Sequence, residues 1–172
     1  VGRQMPALLR AIRSPALIAF STSTSEAAFP LLLESLEAMG FSSKIVSFVL
    51  PLGYSFNLVG STMYCTFAAM FIAQAYSIHV PLSQQVLMLL MLMVTSKGIA
   101  GVPRASLVVV AATLPYFNLP EEGLFLILAV DHLMDMGRSA TNVIGNGLAS
   151  AVVAKWEHAR PIPVAQRPEA IV

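Results

Sequence analysis

Charge is what this sequence has least of. Its 172 residues include 10 Lys or Arg and 9 Asp or Glu, 11% in all, while 56% are hydrophobic. A water-soluble domain carries about a quarter of its residues charged, so too little polar surface remains here to coat a globule in water. Cysteine is nearly absent as well: Cys65 stands alone, which excludes an internal disulfide and leaves a small packing residue in an apolar segment. The net charge of +1 comes with no basic run and no interleaving of basic and aromatic residues, so nothing recruits a nucleic acid. The three histidines, His79, His132 and His158, lack ligand-like partners at useful spacing, and no resident metal or other cofactor is expected. A starting Met and a small-residue cleavage site are also missing. A chain that opens at Val1 inside an amphipathic pattern is expected to be the later part of a longer protein, with no signal peptide of its own.

What is present is apolar length. Runs at 45–56, 62–75, 86–94, 105–114 and 123–134 belong to an integral membrane protein. They group into four blocks, and each block is interrupted near its middle. The first, 7–33, breaks at "STSTSE" (21–26); the second, 45–76, at "NLVGS" (57–61), with Pro51 and Gly53 ahead of it. The third, 83–115, breaks at "SKGIAGVPR" (96–104), and the fourth, 123–156, carries Gly137, Gly145 and Gly147. A broken helix in lipid frees backbone N–H and C=O groups, tolerated only where protein or a watery cavity covers them.

The halves of the first and third blocks, about 12–15 residues each, are too short for a hydrocarbon core of about 30 Å. They are expected to enter and turn back, whereas the second and fourth blocks each cross once. The fold class is therefore all-α and integral to the membrane: an inverted repeat of a re-entrant helical hairpin plus an interrupted transmembrane helix, with the binding site at the midplane. The expected divisions are 1–38 for the first hairpin, 39–78 for the interrupted helix, 79–118 for the second hairpin, 119–157 for the last transmembrane helix, and 158–172 for a disordered Pro-rich tail. Arg3, Arg10 and Arg13 precede the first hairpin and Lys155, Arg160 and Arg167 follow the last helix, while connections 77–84 and 115–122 hold no Lys or Arg. Both ends of the segment are thus expected in the cytoplasm. Glu34, Glu37 and Lys44 read as a solvated connection, and Met88, Met91 and Met93 as packing.

The chemistry is concentrated in "DHLMDMGRSATNVIGNGLA" (131–149). Asp131, Asp135, Arg138, Asn142 and Asn146 fall within an arc of about 80° on a helix. A charge at the centre of a membrane costs on the order of 2.5–3.5 kcal/mol, so such a stripe faces a cavity or a partner. Arg138 has the planar fork that grips a carboxylate through two parallel bonds. Asp135 can hold an ammonium group, and Asn142 offers a donor and an acceptor to a second carboxylate. The freed N–H groups of the two hairpin tips attract anions. Two carboxylates and an amine describe an acidic amino acid. The plainer alternative is an i,i+3 ion pair of Asp135 with Arg138 that neutralises itself within the bundle. An intramembrane aspartyl protease needs carboxylates facing each other from different helices. Asp131 and Asp135 share one helix, and Gly-x-Gly-Asp is absent, so an enzyme is not expected.

Four motifs in order, "FSTSTSEAAFP", "PLGYSFNLVGST", "SKGIAGVP" and "DMGRSATNVIGN", resemble the C-terminal half of the dicarboxylate/amino acid:cation symporter family, the glutamate transporter family. The likeness runs from about Arg3 to Glu157 and is greatest to the bacterial proton-coupled glutamate/aspartate subgroup, then to bacterial four-carbon dicarboxylate carriers. It implies a secondary active symporter of the bacterial inner membrane, with glutamate or aspartate as substrate and protons, sodium or both as coupling ions. It also implies a transport domain that moves like an elevator against a homotrimeric scaffold built by upstream helices. Succinate, fumarate or malate are the alternative substrates, and a non-transporting truncated fragment is the third reading.

The resemblance assigns roles. Thr24 and Ser25, at the first tip, meet the α-carboxylate; Arg138 binds the side-chain carboxylate and Asp135 the amino group. Asn142 is an α-carboxylate ligand, Ser139 a neighbouring polar contact, and Ser61 the hydroxyl after the unwound turn. Gly101 and Val102 belong to the second tip, the extracellular gate. Gly53, Ser55, Asn57, Ser96, Ile99, Asn142 and Asn146 occupy cation-site positions. Asp131 and Glu26, expected to be buried without a fixed partner, are the candidate proton carriers. Three positions depart from the family pattern: Asn146 and Val59 stand where sodium-coupled members have acids, and Arg104 replaces a small residue after "GVP". Asn146 accords with proton coupling, and nothing in the sequence explains the other two.

Overall fold

The computed structural model describes residues 5–56, 59–99 and 105–157. Among these the chain is all helical, without a strand. Helix α1 (Met5–Thr22) ends at Ser23, whose backbone is left-handed at φ 55°, and a 3-10 turn (Glu26–Ala28) leads into α2 (Phe29–Ala38). The stop is local chemistry: the hydroxyls of Ser21 and Thr22 both donate to the carbonyl of Ile18, competing with the helix's own ladder. α3 (Ser43–Phe56) and α4 (Val59–Ala75) follow. α5 (Leu82–Thr95) runs into a 3-10 turn (Ser96–Ile99), and α6 (Ala105–Thr113) into another (Leu114–Phe117). A turn at Glu121–Gly123, the five-residue α7 (Leu124–Leu128) and the 26-residue α8 (Asp131–Trp156) complete the described chain.

Two apolar cores hold these elements. One joins α1, α2 and α3 to the later half of α8 through Leu8, Ile12, Leu32, Leu50 and Val143. The other joins α4, α5, α6 and α7 through Ala69, Ile72, Leu92, Val110 and Ile127. Each core contains one helical hairpin. α8 lies against α1, α3 and α4, and Gly147 lets it approach the first hairpin so closely that a Cβ would meet Ile12 Cδ1 at 2.5 Å.

The outside is apolar. On α4, Met63, Phe67 and Phe71 are exposed at four-residue intervals, while Gly60, Ser61, Tyr64, Cys65, Ala68 and Ala69 are buried. Phe48, Leu52 and Phe56 continue the exposed band on α3. Large contiguous apolar surface of this kind marks contact with lipid or another protein. Small buried residues and large exposed ones are the pattern of membrane helices, where close backbone approach rather than water exclusion drives packing. Met88 is buried and Met91 packs on its core, as expected, but Met93 is exposed.

Two expectations need correction. α1 has 18 residues, longer than the 12–15 assigned to each half of the hairpins, because it starts at Met5 and runs on through Ser21 and Thr22 of the "STSTSE" break. The fourth block breaks at Ala129–Val130, between α7 and α8, and not at its glycines: α8 runs unbroken through Gly137, Gly145 and Gly147. The stretch Ser43–Ala75 is long and apolar enough to cross a membrane. α8 has the length, about 39 Å at 1.5 Å per residue, but its polar stripe keeps it below that degree of apolarity.

Candidate functional site

The polar stripe of α8 faces inward along its whole length. Asp131 is 0% exposed, Asp135 1%, Arg138 8%, Asn142 0% and Asn146 1%; Ser139 and Ser150 are buried with them. The opposing surface is the first turn of α4 with the preceding end of α3. Gly60 is why α4 comes so near: a Cβ there would stand 2.3 Å from the backbone carbonyl oxygen of Arg138. Gly53 does the same for α3, where a Cβ would meet Asn146 Oδ1 at 2.7 Å.

This closeness creates a set of hydrogen bonds across the two helices. The Gly60 N–H donates to Asn142 Oδ1 at 2.8 Å, so an amide from α8 accepts a backbone N–H of α4. Asn142 Nδ2 donates to Ser61 Oγ at 3.3 Å, and an Arg138 amino group donates to the same oxygen at 3.3 Å. Arg138 Nε donates to Asp135 Oδ1 at 2.6 Å. Ser61, Asp135, Arg138 and Asn142, predicted on two separate segments, are therefore one cluster.

The ion pair of the plainer alternative is present, yet it leaves the cluster unsatisfied. Asp135 Oδ2 and Ser139 Oγ are buried without a hydrogen-bond partner. A buried carboxylate oxygen left unmatched costs free energy, and such an atom in a native structure calls for an explanation. Asp135 Oδ2 is a free acceptor for an N–H donor, and Arg138, the least enclosed of the five stripe residues, has the forked geometry for a carboxylate.

The other predicted residues lie apart from this cluster or outside the described residues. Ser96 is buried, with its hydroxyl 3.1 Å from that of Thr62. Ser55 is exposed and donates to the carbonyl of Pro51 in its own helix. Thr24, Ser25 and Glu26 stay at the first tip, where the Thr24 hydroxyl donates to Glu26 Oε2 at 2.6 Å; Ser25 is buried and Thr24 half-buried. Asn57, Gly101, Val102 and Arg104 lie outside the described residues, and of Ile99 only the backbone turn is described. Val59 opens α4 and is exposed.

The premise for both candidate proton carriers changes. Asp131 is buried, but it is not without a fixed partner: Tyr64 OH donates to its Oδ1 at 2.6 Å. Glu26 has its partner in Thr24 and is exposed. Tyr64 and Thr62 were not anticipated as members of the site. A signal existed, since Gly60, Ser61 and Tyr64 share one face of α4 at helical spacing, but the hydroxyl of a tyrosine in an apolar run reads as packing until its partner is seen.

An all-helical arrangement with an apolar exterior and a buried polar cluster puts the described residues in the class of helical membrane proteins. The comparison with known sequences makes the class specific. Residues 1–156 match the profile of the sodium:dicarboxylate symporter family, and the chain belongs to that family. It is 52% identical over 151 residues to the proton/glutamate-aspartate symporter of Escherichia coli (strain K12), which covers 88% of this chain and 35% of that protein. It is 51% identical over 150 residues to the proton/sodium-glutamate symport protein of Geobacillus stearothermophilus, covering 87% and 36%. The C4-dicarboxylate transport protein of Rhodospirillum rubrum is 48% identical over 157 residues, covering 91% and 35%. The chain thus spans about a third of the length of these relatives.

Proposed function

We propose that this chain is the substrate-binding core of a symporter that carries glutamate or aspartate across the bacterial inner membrane together with cations, chiefly protons. The observation that carries the reading is the buried cluster of Asp135, Arg138, Asn142 and Ser61, with Asp135 Oδ2 and Ser139 Oγ left for a ligand. On this reading Arg138 takes the side-chain carboxylate and Asp135 the ammonium group. Asn142, Ser139, Ser61 and the tip residues Thr24 and Ser25 surround the α-carboxylate. The two hairpins are re-entrant, and the second, with Gly101 and Val102 at its tip, is the gate on the outer side. Gly53, Ser55, Asn57, Ser96, Ile99, Asn142 and Asn146 frame the coupling-ion positions. The amide of Asn146 in place of an acid favours protons, and Asp131 remains the better placed of the two proton carriers because it is buried on the stripe. The transport domain moves as an elevator within a trimer whose scaffold lies in the portion that the relatives carry upstream. Both ends of the segment face the cytoplasm.

The test is labelled aspartate uptake into liposomes, using the chain extended by that upstream portion, with an inward proton gradient, no sodium, and excess succinate in a parallel sample. Proton-driven uptake that succinate leaves unchanged is expected. Absence of uptake with or without sodium would sink the carrier reading.

The C4-dicarboxylate name among the relatives favours a second reading, a succinate or malate carrier, and Asp135 separates the two. A diacid without an amine is repelled by a second buried carboxylate, so Asp135→Ser is expected to lower aspartate uptake at least tenfold while leaving succinate uptake equal or higher. A rise in aspartate relative to succinate would show that Asp135 does not hold the amine.

A further inference from the structure

The first turn of α4 has two hydroxyls side by side, and they reach in different directions. Ser61 Oγ receives Arg138 and Asn142 from α8. Thr62, the next residue and thus about 100° further round the helix, meets Ser96 on the second hairpin at 3.1 Å. Ser96 is the point where α5 gives way to the 3-10 turn that leads toward the tip. Its own hydroxyl donates to the carbonyl of Met93 at 3.3 Å. The bond between the two helices joins Thr62 Oγ1 and Ser96 Oγ, and either hydroxyl can donate it. Ser96 is 0% exposed, so a broken bond would leave a buried hydroxyl without its partner on α4.

We propose that the Thr62–Ser96 hydrogen bond is a clasp that fixes the base of the second hairpin's tip to α4, so that Thr62 is a positioning residue linking the hairpin to the Arg138 cluster. The proposal rests on the reading of that hairpin as the gate. A ligand that draws Arg138 and Asn142 away from Ser61 acts on the same helical turn that holds Ser96. Ligand occupancy and hairpin position therefore share one short piece of backbone. Thr95, beside Ser96, supplies the control: it is exposed and its hydroxyl donates to Met91 in its own helix.

The experiment pairs hydrogen exchange of the peptide covering 93–99 with uptake kinetics, both on the upstream-extended chain. Thr62→Val, which keeps the shape, and Ser96→Ala are each expected to speed exchange about fivefold, the loss of one ordinary hydrogen bond. The same variants are expected to raise KM for aspartate about fivefold with kcat little changed. The two substitutions share the Thr62–Ser96 bond, so the double variant should do less than the product of the two single effects, and Thr62→Ser should restore both readouts. Thr95→Val should move neither. Unchanged exchange in Thr62→Val, multiplied effects in the double variant, or no rescue by Thr62→Ser would each overturn the clasp. Exchange does not depend on transport. Clasp-dependent exchange in a protein that takes up nothing would therefore defeat the carrier reading alone, and uptake with clasp-independent exchange would defeat this proposal alone.

Discussion

Arg138→Met is expected to lower stability by about 3 kcal/mol and to abolish stabilisation by aspartate, and adding Asp135→Leu is expected to restore the stability without restoring the ligand effect. The two residues form a buried pair at 2.6 Å. Removing the arginine alone strands a carboxylate that is 1% exposed, whereas removing both leaves two apolar side chains in a helical interior, which is often neutral. A pair that served only to neutralise itself would be dispensable in the double variant. A pair that also grips substrate would not, because aspartate raises the melting temperature only in proportion to its binding. The measurement is a melting curve of the upstream-extended chain in detergent, with and without aspartate. Recovery of both stability and aspartate response in the double variant would remove Arg138 and Asp135 from the binding site.

Gly60→Ala is expected to be nearly as damaging although it adds one methyl group and no charge. Its Cβ would lie 2.3 Å from the Arg138 carbonyl oxygen and 3.0 Å from Thr141 Cβ. The first is a backbone atom in mid-helix and cannot step aside, so α4 must retreat from α8. Overpacking of this order costs about 3 kcal/mol. The retreat also lengthens the bonds from Gly60 to Asn142 and from Ser61 to Arg138 and Asn142, so aspartate binding is expected to fall at least tenfold. Thermal melting and aspartate titration of the variant check both effects. An unchanged response would mean that α4 and α8 have slack that the close approach does not suggest. Gly137, on α8 with nothing within 4 Å of its Cβ position, is the control for alanine away from that contact.

The stripe on α8 was legible because its information is local. Five residues at steps of four, three, four and four share a face on any helix, and the expense of charge in lipid dictates that the face turns inward. The break after α1 was legible for a similar reason, since a serine-rich interruption within an apolar block has few uses. What local patterning could not supply was the length of α1, which takes in Ser21 and Thr22 of the serine-rich break, and the division of the last block into α7 and α8, where no Gly or Pro announces the break at Ala129–Val130.

By itself, then, the sequence determined the solvent, the helical class, the family and the face on which the chemistry lies. Composition and periodicity decide these, and both are read within a window of a few turns. Only the tertiary structure decided who meets whom across that face. Gly60 with Asn142, Ser61 with Arg138, Tyr64 with Asp131 and Thr62 with Ser96 are separated by 82, 77, 67 and 34 residues. Such pairings depend on how near two helices can come and in what register. Here that distance is set by the absence of a side chain at Gly60 and Gly53, a property of the interface that neither helix carries alone.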